Sequence, residues 1–314
     1  MARTNLLRTN PFVALCFLAV GIPAVIGCWL THIEFTAVAP VFIVLLVLFA
    51  AYSPLPLYWH QKGRIDRRDA ALVIPWCLLI WFLGPVPMLV ASRLNLPLRD
   101  DWLFAFDRFF GFDGHAMVLW AGHSALGAIL NKTYGWLYTY LEIAIVIPAL
   151  LGRRESVRFL LANTMALVIG IVLLGLLPAI GPWIPGHWPV AGYQIAEQKQ
   201  IMALRTDNVY MFSLFLDGAG IIAFPSFHVI WAVFSASALW GFRWLRIPLA
   251  IFSTMIVLST LTTGWHYLAD VVAGLVVAAL CLWAAEAMLV RTSAAAQVAP
   301  AAVTESVVPV TTAH

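Results

Sequence analysis

The sequence predicts an all-α integral membrane protein, a polytopic helical bundle of about eight spans. Three observations predict it. Of 314 residues, 62% are hydrophobic and 11% charged, with a mean hydropathy of +0.91, more apolar surface than a soluble domain can hide. Apolar runs recur at span length, and the period-two alternation of a membrane barrel is missing. The basic residues also crowd into alternate connecting segments, as the positive-inside rule requires. The net charge of +3 gives no reason to expect a nucleic-acid partner.

The spans are read at 12–30, 37–58, 70–91, 134–151, 157–178, 225–240, 247–263 and 267–290. Arg3 and Arg8 precede the first run, which is too long for a signal-peptide core and lacks an A-x-A cleavage site, so it reads as retained. Lys62, Arg64, Arg67 and Arg68 follow the second span. Pro23, Pro75 and Pro178 predict kinks and do not exclude spanning. Between spans three and four, Asp100 to Phe110 mixes aromatics with charge, the pattern of a helix lying in the interface. The run His115 to Leu130 is moderately apolar but short and carries His115, His123 and Ser124; it reads as an interfacial or re-entrant helix on the outer face. A ninth span there would put Arg153, Arg154, Arg158, Arg243 and Arg246 outside. Spans four and five flank Arg153 to Arg158, and the long outer segment 179–223 follows. It carries Glu197, Lys199, Arg205, Asp207 and Asp217 and leads into span six. Spans six and seven form a hairpin around Gly241 to Arg246, and Arg291 closes span eight. With the N-terminus inside, 12 of the 18 Lys and Arg lie on the cytoplasmic side. Residues 1–291 therefore read as a single transmembrane domain, and 292–314 as a disordered cytoplasmic tail. Cys16, Cys28, Cys77 and Cys281 lie within apolar runs at spacings unlike a metal site, which points to packing.

Because the chain crosses and returns between them, His228 and His266 are expected at one membrane face. Asp270 stands four residues after His266, so on a helix the two share a side. A carboxylate inside a membrane is costly without a partner. The imidazole is that partner: Asp270 accepts one ring N–H and leaves the other nitrogen as a lone pair. An isolated H-x-x-x-D more often only ties helices together, but His228 adds a second proton carrier behind a Pro225-Ser226 turn. Free N–H groups at such a helix start suit an anion. Glu142, within span four, reads either as facing the core near the site or as a structural carboxylate bonded to a neighbouring helix, the second being favoured.

These segments resemble the second and third motifs of the type-2 phosphatidic acid phosphatase superfamily, P-S-G-H and S-R-x5-H-x3-D. Pro225, Ser226 and His228 match the first, with Phe227 for glycine; Ser259, His266 and Asp270 match the second, with Thr260 for arginine. The flanking Trp265 to Gly274 is more similar to the branch containing inositol phosphorylceramide synthases, as is the run Asp100 to Asp113. The resemblance covers spans three to eight. It implies a six-helix phosphatase-type core at about 70–291 with two accessory spans within 12–58. It also implies a mechanism without metal or cofactor. His266 would attack phosphorus, Asp270 would orient it, and His228 would protonate the leaving oxygen and then activate water or an alcohol acceptor. Ser226 and backbone N–H groups would cradle the phosphate. The first motif, K-x6-R-P, is not present as written. Lys199 and Arg205 are its nearest equivalents, either as a phosphate clamp or as solvated loop charges.

The expected activity is cleavage of a phosphoester or diphosphate of a membrane lipid, phosphatidate-like or polyprenyl, at the non-cytoplasmic face of the plasma (inner) membrane. Transfer of a phospho-headgroup to an alcohol, as in the inositol phosphorylceramide synthase branch, is the alternative. A proton-coupled transporter using the same three ionisable groups is the alternative of another class; the lack of an inverted repeat speaks against it.

Overall fold

A computed structural model describes residues 9–36, 38–213 and 223–298. Arg3, Arg8, Asp217 and the tail from 299 onward lie outside the described residues. The protein is an all-helical membrane fold. Among the described residues, six helical stretches are long and apolar enough to cross a membrane: Phe12–Leu30, Val38–Gln61, Asp66–Arg93, Arg154–Leu176, Arg243–Thr262 and Leu268–Arg291. The other two expected spans correspond to a 26-residue helix, Ala125–Leu150, and to the shorter apolar helix Phe227–Leu239.

The first stretch is α1 (Thr9–Leu30). The second breaks into α2 (Val38–Tyr52) and α3 (Pro54–Gln61), because proline fits the first turn of a new helix but not the interior of an old one. The third divides into α4 (Ile65–Ala71), α5 (Val73–Leu83) and α6 (Pro85–Arg93). Its second break falls at Gly84-Pro85 rather than at Pro75, which α5 absorbs near its start. After α7 (Asp100–Phe109) and α8 (Gly114–Gly122) comes α9 (Ala125–Leu150). The run His115 to Leu130 is thus not one interfacial helix. His123 and Ser124 interrupt it, Ser124 Oγ caps the new helix by accepting Gly127 N–H at 2.8 Å, and residues 125–130 are the first turns of α9. Then follow α10 (Arg154–Leu176), the single turn α11 (Trp183–Gly186), α12 (Gly192–Thr206), α13 (Phe227–Leu239), α14 (Arg246–Thr262) and α15 (Leu268–Val298).

Two four-residue strands have no counterpart in the sequence reading. β1 (Ile33–Thr36) pairs in parallel with β2 (Tyr210–Ser213), Ile33 opposite Tyr210. This pair ties the turn after α1 to the segment before α13. The last helix also runs on to Val298, past the boundary expected at 291.

The inner helix is α13. It packs against α9, α10, α14 and α15, and most of its residues are buried. Small residues (Ala232, Ser235, Ala238) let neighbours approach it closely. Polar contacts fix its rotation: Trp231 Nε1 donates to Asn163 Oδ1 at 2.9 Å, and Ser253 Oγ donates to the Ala232 carbonyl at 3.2 Å. Thirteen residues span only about 20 Å, so α13 is shorter than a hydrocarbon core and its first residues lie within the bundle. Glu142 does not bond a neighbouring helix; it lies on the exposed side of α9.

Candidate active site

The site is built on the starts of α13 and α15, and the start of α15 explains most of it. Gly264 takes a left-handed conformation, φ +73°, which ends α14 and lets the chain turn back. Trp265, His266 and Tyr267 follow outside any helix, and α15 begins at Leu268. His266 and Asp270 therefore do not share a helix face. They meet because Asp270 sits in the first turn of α15 and reaches back over the residues that precede it. Its Oδ2 lies 3.1 Å from His266 Nδ1 and accepts Tyr267 N–H at 2.9 Å. The second bond is one half of a capping box, an acid at the third helical position serving the N–H just ahead of the helix. The other exposed donors of that turn go to Asp107 on α7, whose carboxylate accepts Leu268 N–H at 3.0 Å and Ala269 N–H at 3.1 Å.

Asp100, two turns earlier on α7, makes the second anchor. It accepts Ile180 N–H at 3.0 Å, Gly181 N–H at 2.9 Å and the Tyr267 hydroxyl at 2.9 Å. Tyr267 is fully buried, so the residue beside His266 is pinned at its backbone and at its ring tip. Burial pushes Asp100 and Asp107 above their ordinary range, Asp107 up to about 6, with the neighbouring Asp270 adding repulsion there; hydrogen bonds pull both partly back.

His228 lies near the start of α13. Ser226 precedes the helix, and its N–H donates to the Asp270 carbonyl at 3.2 Å, which joins the two helix starts. Gly274 makes that join feasible: a Cβ there would stand 2.9 Å from the Ser226 carbonyl oxygen. The rings of His228 and His266 are 5.9 Å apart between centroids. Tyr134 stacks on His228 at 4.1 Å, with its hydroxyl 3.5 Å from Nδ1. His228 Nε2, Ser226 Oγ and Asp270 Oδ1 are buried without hydrogen-bond partners among the described residues. A serine just before a helix normally bonds the backbone of the first turn; this one does not.

Both histidines line a cavity of about 760 Å³. Its lining combines apolar side chains, among them Ile80, Met88, Phe159 and Leu167, with Tyr134, Tyr138, Tyr193, Glu197 and Gln200. Glu197 is half-buried there, and burial pushes its carboxyl up to about 7. Among the described lining residues there is no Lys or Arg.

Of the residues expected from sequence, His228, His266, Asp270 and Ser226 converge. Lys199 and Arg205 do not join them. Lys199 is exposed on α12. Arg205 is buried but turns away, donating to the Leu96 carbonyl at 2.5 Å. At the position where the superfamily pattern has arginine, Thr260 is fully buried and its hydroxyl bonds the Val257 carbonyl of its own helix at 2.7 Å. Sequence reasoning missed Asp100, Asp107, Tyr134 and Glu197. The spacing of the buried Asp100, Leu103 and Asp107 marks one face of α7, and Tyr193, Glu197 and Gln200 likewise recur at helical spacing.

No curated protein and no solved structure matches the chain. Residues 101–314 match the family model of the PAP2 superfamily, a range that takes in Asp107, both helix starts, His228, His266 and Asp270 and begins one residue after Asp100. The match covers more than half of the chain, and this multi-pass membrane protein therefore belongs to the PAP2 superfamily.

Proposed function

We propose that the protein is a lipid phosphoesterase that works through a phosphohistidine on His266. The observation that carries this reading is the His266–Asp270 pair at 3.1 Å with His228 facing it across the cavity. With its Nδ1–H held by Asp270, His266 keeps a lone pair on Nε2. That nitrogen attacks phosphorus as the ester P–O bond breaks, and protonated His228 gives its proton to the leaving oxygen. His228, now neutral, takes a proton from the acceptor, whose oxygen displaces His266 from phosphorus. Water gives a phosphatase and an alcohol gives a transferase. Ser226 Oγ and the unpaired N–H groups at the start of α13 supply donors for the phosphate oxygens.

The transferase form, of the inositol phosphorylceramide synthase type, has one observation in its favour. The cavity wall holds a carboxylate, Glu197, and no described cation, which suits a singly charged phosphodiester better than a doubly charged phosphomonoester. The 760 Å³ volume also leaves room for an acceptor. The proposed orientation puts the site on the non-cytoplasmic face, because Lys62 to Arg68, Arg153 to Arg158 and Arg243 to Arg246 connect helices at the other end.

The deciding experiment incubates purified protein with phosphatidate and with phosphodiester lipids, with and without alcohol acceptors, and traps the acid-labile phosphoryl adduct. The adduct should vanish in His266→Ala. Release of inorganic phosphate from phosphatidate identifies the phosphatase, and acceptor-dependent release of diacylglycerol identifies the transferase. Full turnover in His266→Ala, His228→Ala and Asp270→Asn alike would overturn the enzyme reading.

A further inference from the structure

At the end of the bundle remote from the histidines, a separate concavity of about 350 Å³ opens between α10, α13, α14 and α15. Arg154 opens α10, Arg158 follows one turn later, and Arg246 opens α14. Glu286 of α15 stands between the first two, 2.7 Å from Arg154 and 3.6 Å from Arg158. Arg158 spends further donors on Ser237, at 3.0 Å to its carbonyl and 2.8 Å to its hydroxyl. Arg153 beside the pocket faces Glu155 at 3.5 Å. Among the described residues Arg246 has only a neutral acceptor, the Trp240 carbonyl at 2.9 Å. Counting Arg153 beside the lining, four guanidinium groups share two carboxylates, Glu155 and Glu286, so the pocket together with its rim carries two uncompensated positive charges among the described residues. Guanidinium groups present paired N–H donors that match phosphate oxygens.

The depth of the pocket selects the source of that phosphate. The apolar part of α10 starts after Arg158, that of α14 starts after Arg246, and α13 ends at Leu239. The pocket lies where hydrocarbon gives way to headgroups. Trp240 and Trp244, 42% and 84% exposed, mark that level. Ile247, next after Arg246 on α14, and Trp283, about one turn before Glu286 on α15, present exposed apolar surface that an acyl chain would cover. We propose that this pocket binds the phosphate headgroup of an anionic phospholipid from the leaflet at that end, as a site distinct from the histidine cavity. Basic pockets between transmembrane helices are suited to this task.

The test is native mass spectrometry of the full-length protein in detergent, with phosphatidylglycerol, phosphatidylcholine and inorganic phosphate as probes. One phosphatidylglycerol should be retained in preference to phosphatidylcholine, and inorganic phosphate should not displace it. Arg154→Gln and Arg246→Gln should each weaken retention by roughly fivefold. Glu286→Gln removes the carboxylate that competes for Arg154 and should strengthen it; this variant keeps the test decisive if an arginine variant fails to fold. Equal retention of the two lipids, displacement by inorganic phosphate, arginine variants that bind like wild type, or no gain in Glu286→Gln would each overturn the proposal.

Discussion

Replacing Asp270 separates two contributions that are usually lost together. One oxygen, Oδ2, accepts from both His266 Nδ1 and Tyr267 N–H, and Oδ1 has no partner among the described residues. An asparagine with its carbonyl in the Oδ2 position keeps both bonds. The flipped amide would set its NH₂ against the Tyr267 N–H, donor against donor, so the flip is disfavoured. Asp270→Asn should therefore preserve the His266 tautomer and remove only the charge. A charge-assisted hydrogen bond contributes ~1.5–3 kcal/mol and a neutral one ~0.5–1.5 kcal/mol. The expected loss is ~1–2 kcal/mol, about 5- to 30-fold in rate. Asp270→Ala removes both bonds and strands a buried N–H, for a loss of roughly 10²- to 10⁴-fold. The assay is the single-turnover rate of phosphoenzyme formation on a short-chain phosphatidate in micelles, with folding checked by thermal melting. If Asp270→Asn were as slow as Asp270→Ala, the shared-oxygen argument would be wrong. Wild-type rates in Asp270→Ala would remove Asp270 from the chemistry altogether.

Three further outcomes follow from the same geometry. Gly274→Ala sets a Cβ 2.9 Å from the Ser226 carbonyl and 3.0 Å from Val229 Cβ, so it should destabilise by ~1–3 kcal/mol and lower the rate by displacing the start of α13; a variant with unchanged melting and turnover would contradict this. Glu197, raised to about 7, is uncharged below that pH and repels a bound phosphate above it. Turnover should therefore fall through pH 7 to 8, and Glu197→Gln should flatten that limb; an unaltered profile would exclude Glu197 from the site's electrostatics. Asp107 is raised from 3.8 to about 6, so the folded protein holds this proton more tightly than the unfolded chain. The Asp107 contribution is thus most favourable below about pH 4, and up to ~3 kcal/mol is lost as pH rises to about 6. The melting temperature of Asp107→Asn should fall less over that window than that of wild type; parallel slopes would contradict the assignment.

The helices behind the eight expected spans, six of them long and apolar enough to cross among the described residues, were legible because length and hydropathy are read without reference to any partner segment. The β1–β2 pair was not, since its strands have four residues each and lie far apart in the chain. At the site, His228, His266 and Asp270 could be read because a crossing and its return bring the two helix starts to one face. The manner of the His266–Asp270 contact was not legible: the four-residue spacing suggested one helix face, and Gly264 instead leaves His266 ahead of the helix. Lys199 failed for a simpler reason. It stands two residues from Glu197, about 200° around α12, so once Tyr193, Glu197 and Gln200 face the cavity, Lys199 must face away. Asp100 and Asp107 act on Gly181 and on residues 267–269, and nothing in a linear pattern reports such contacts.

The anchoring of His266 also accounts for how the site holds its shape without the superfamily's third-motif arginine. Three acids meet at the start of α15, and backbone N–H groups, together with the Tyr267 hydroxyl and the His266 ring, bond all of their oxygens except Asp270 Oδ1. These fixed donors hold the loop carrying His266 from behind, leaving its free nitrogen and His228 on the cavity side. Arg205, the nearest basic candidate by sequence, donates instead to the Leu96 carbonyl in the segment just before α7. A phosphate entering the cavity would meet imidazole and helix-start N–H groups in place of guanidinium. Under the proposed mechanism such a site stabilises phosphate charge less in the ground state than an arginine clamp does. More of the total stabilisation then rests on the protonation of His228 at the moment the leaving oxygen gains charge.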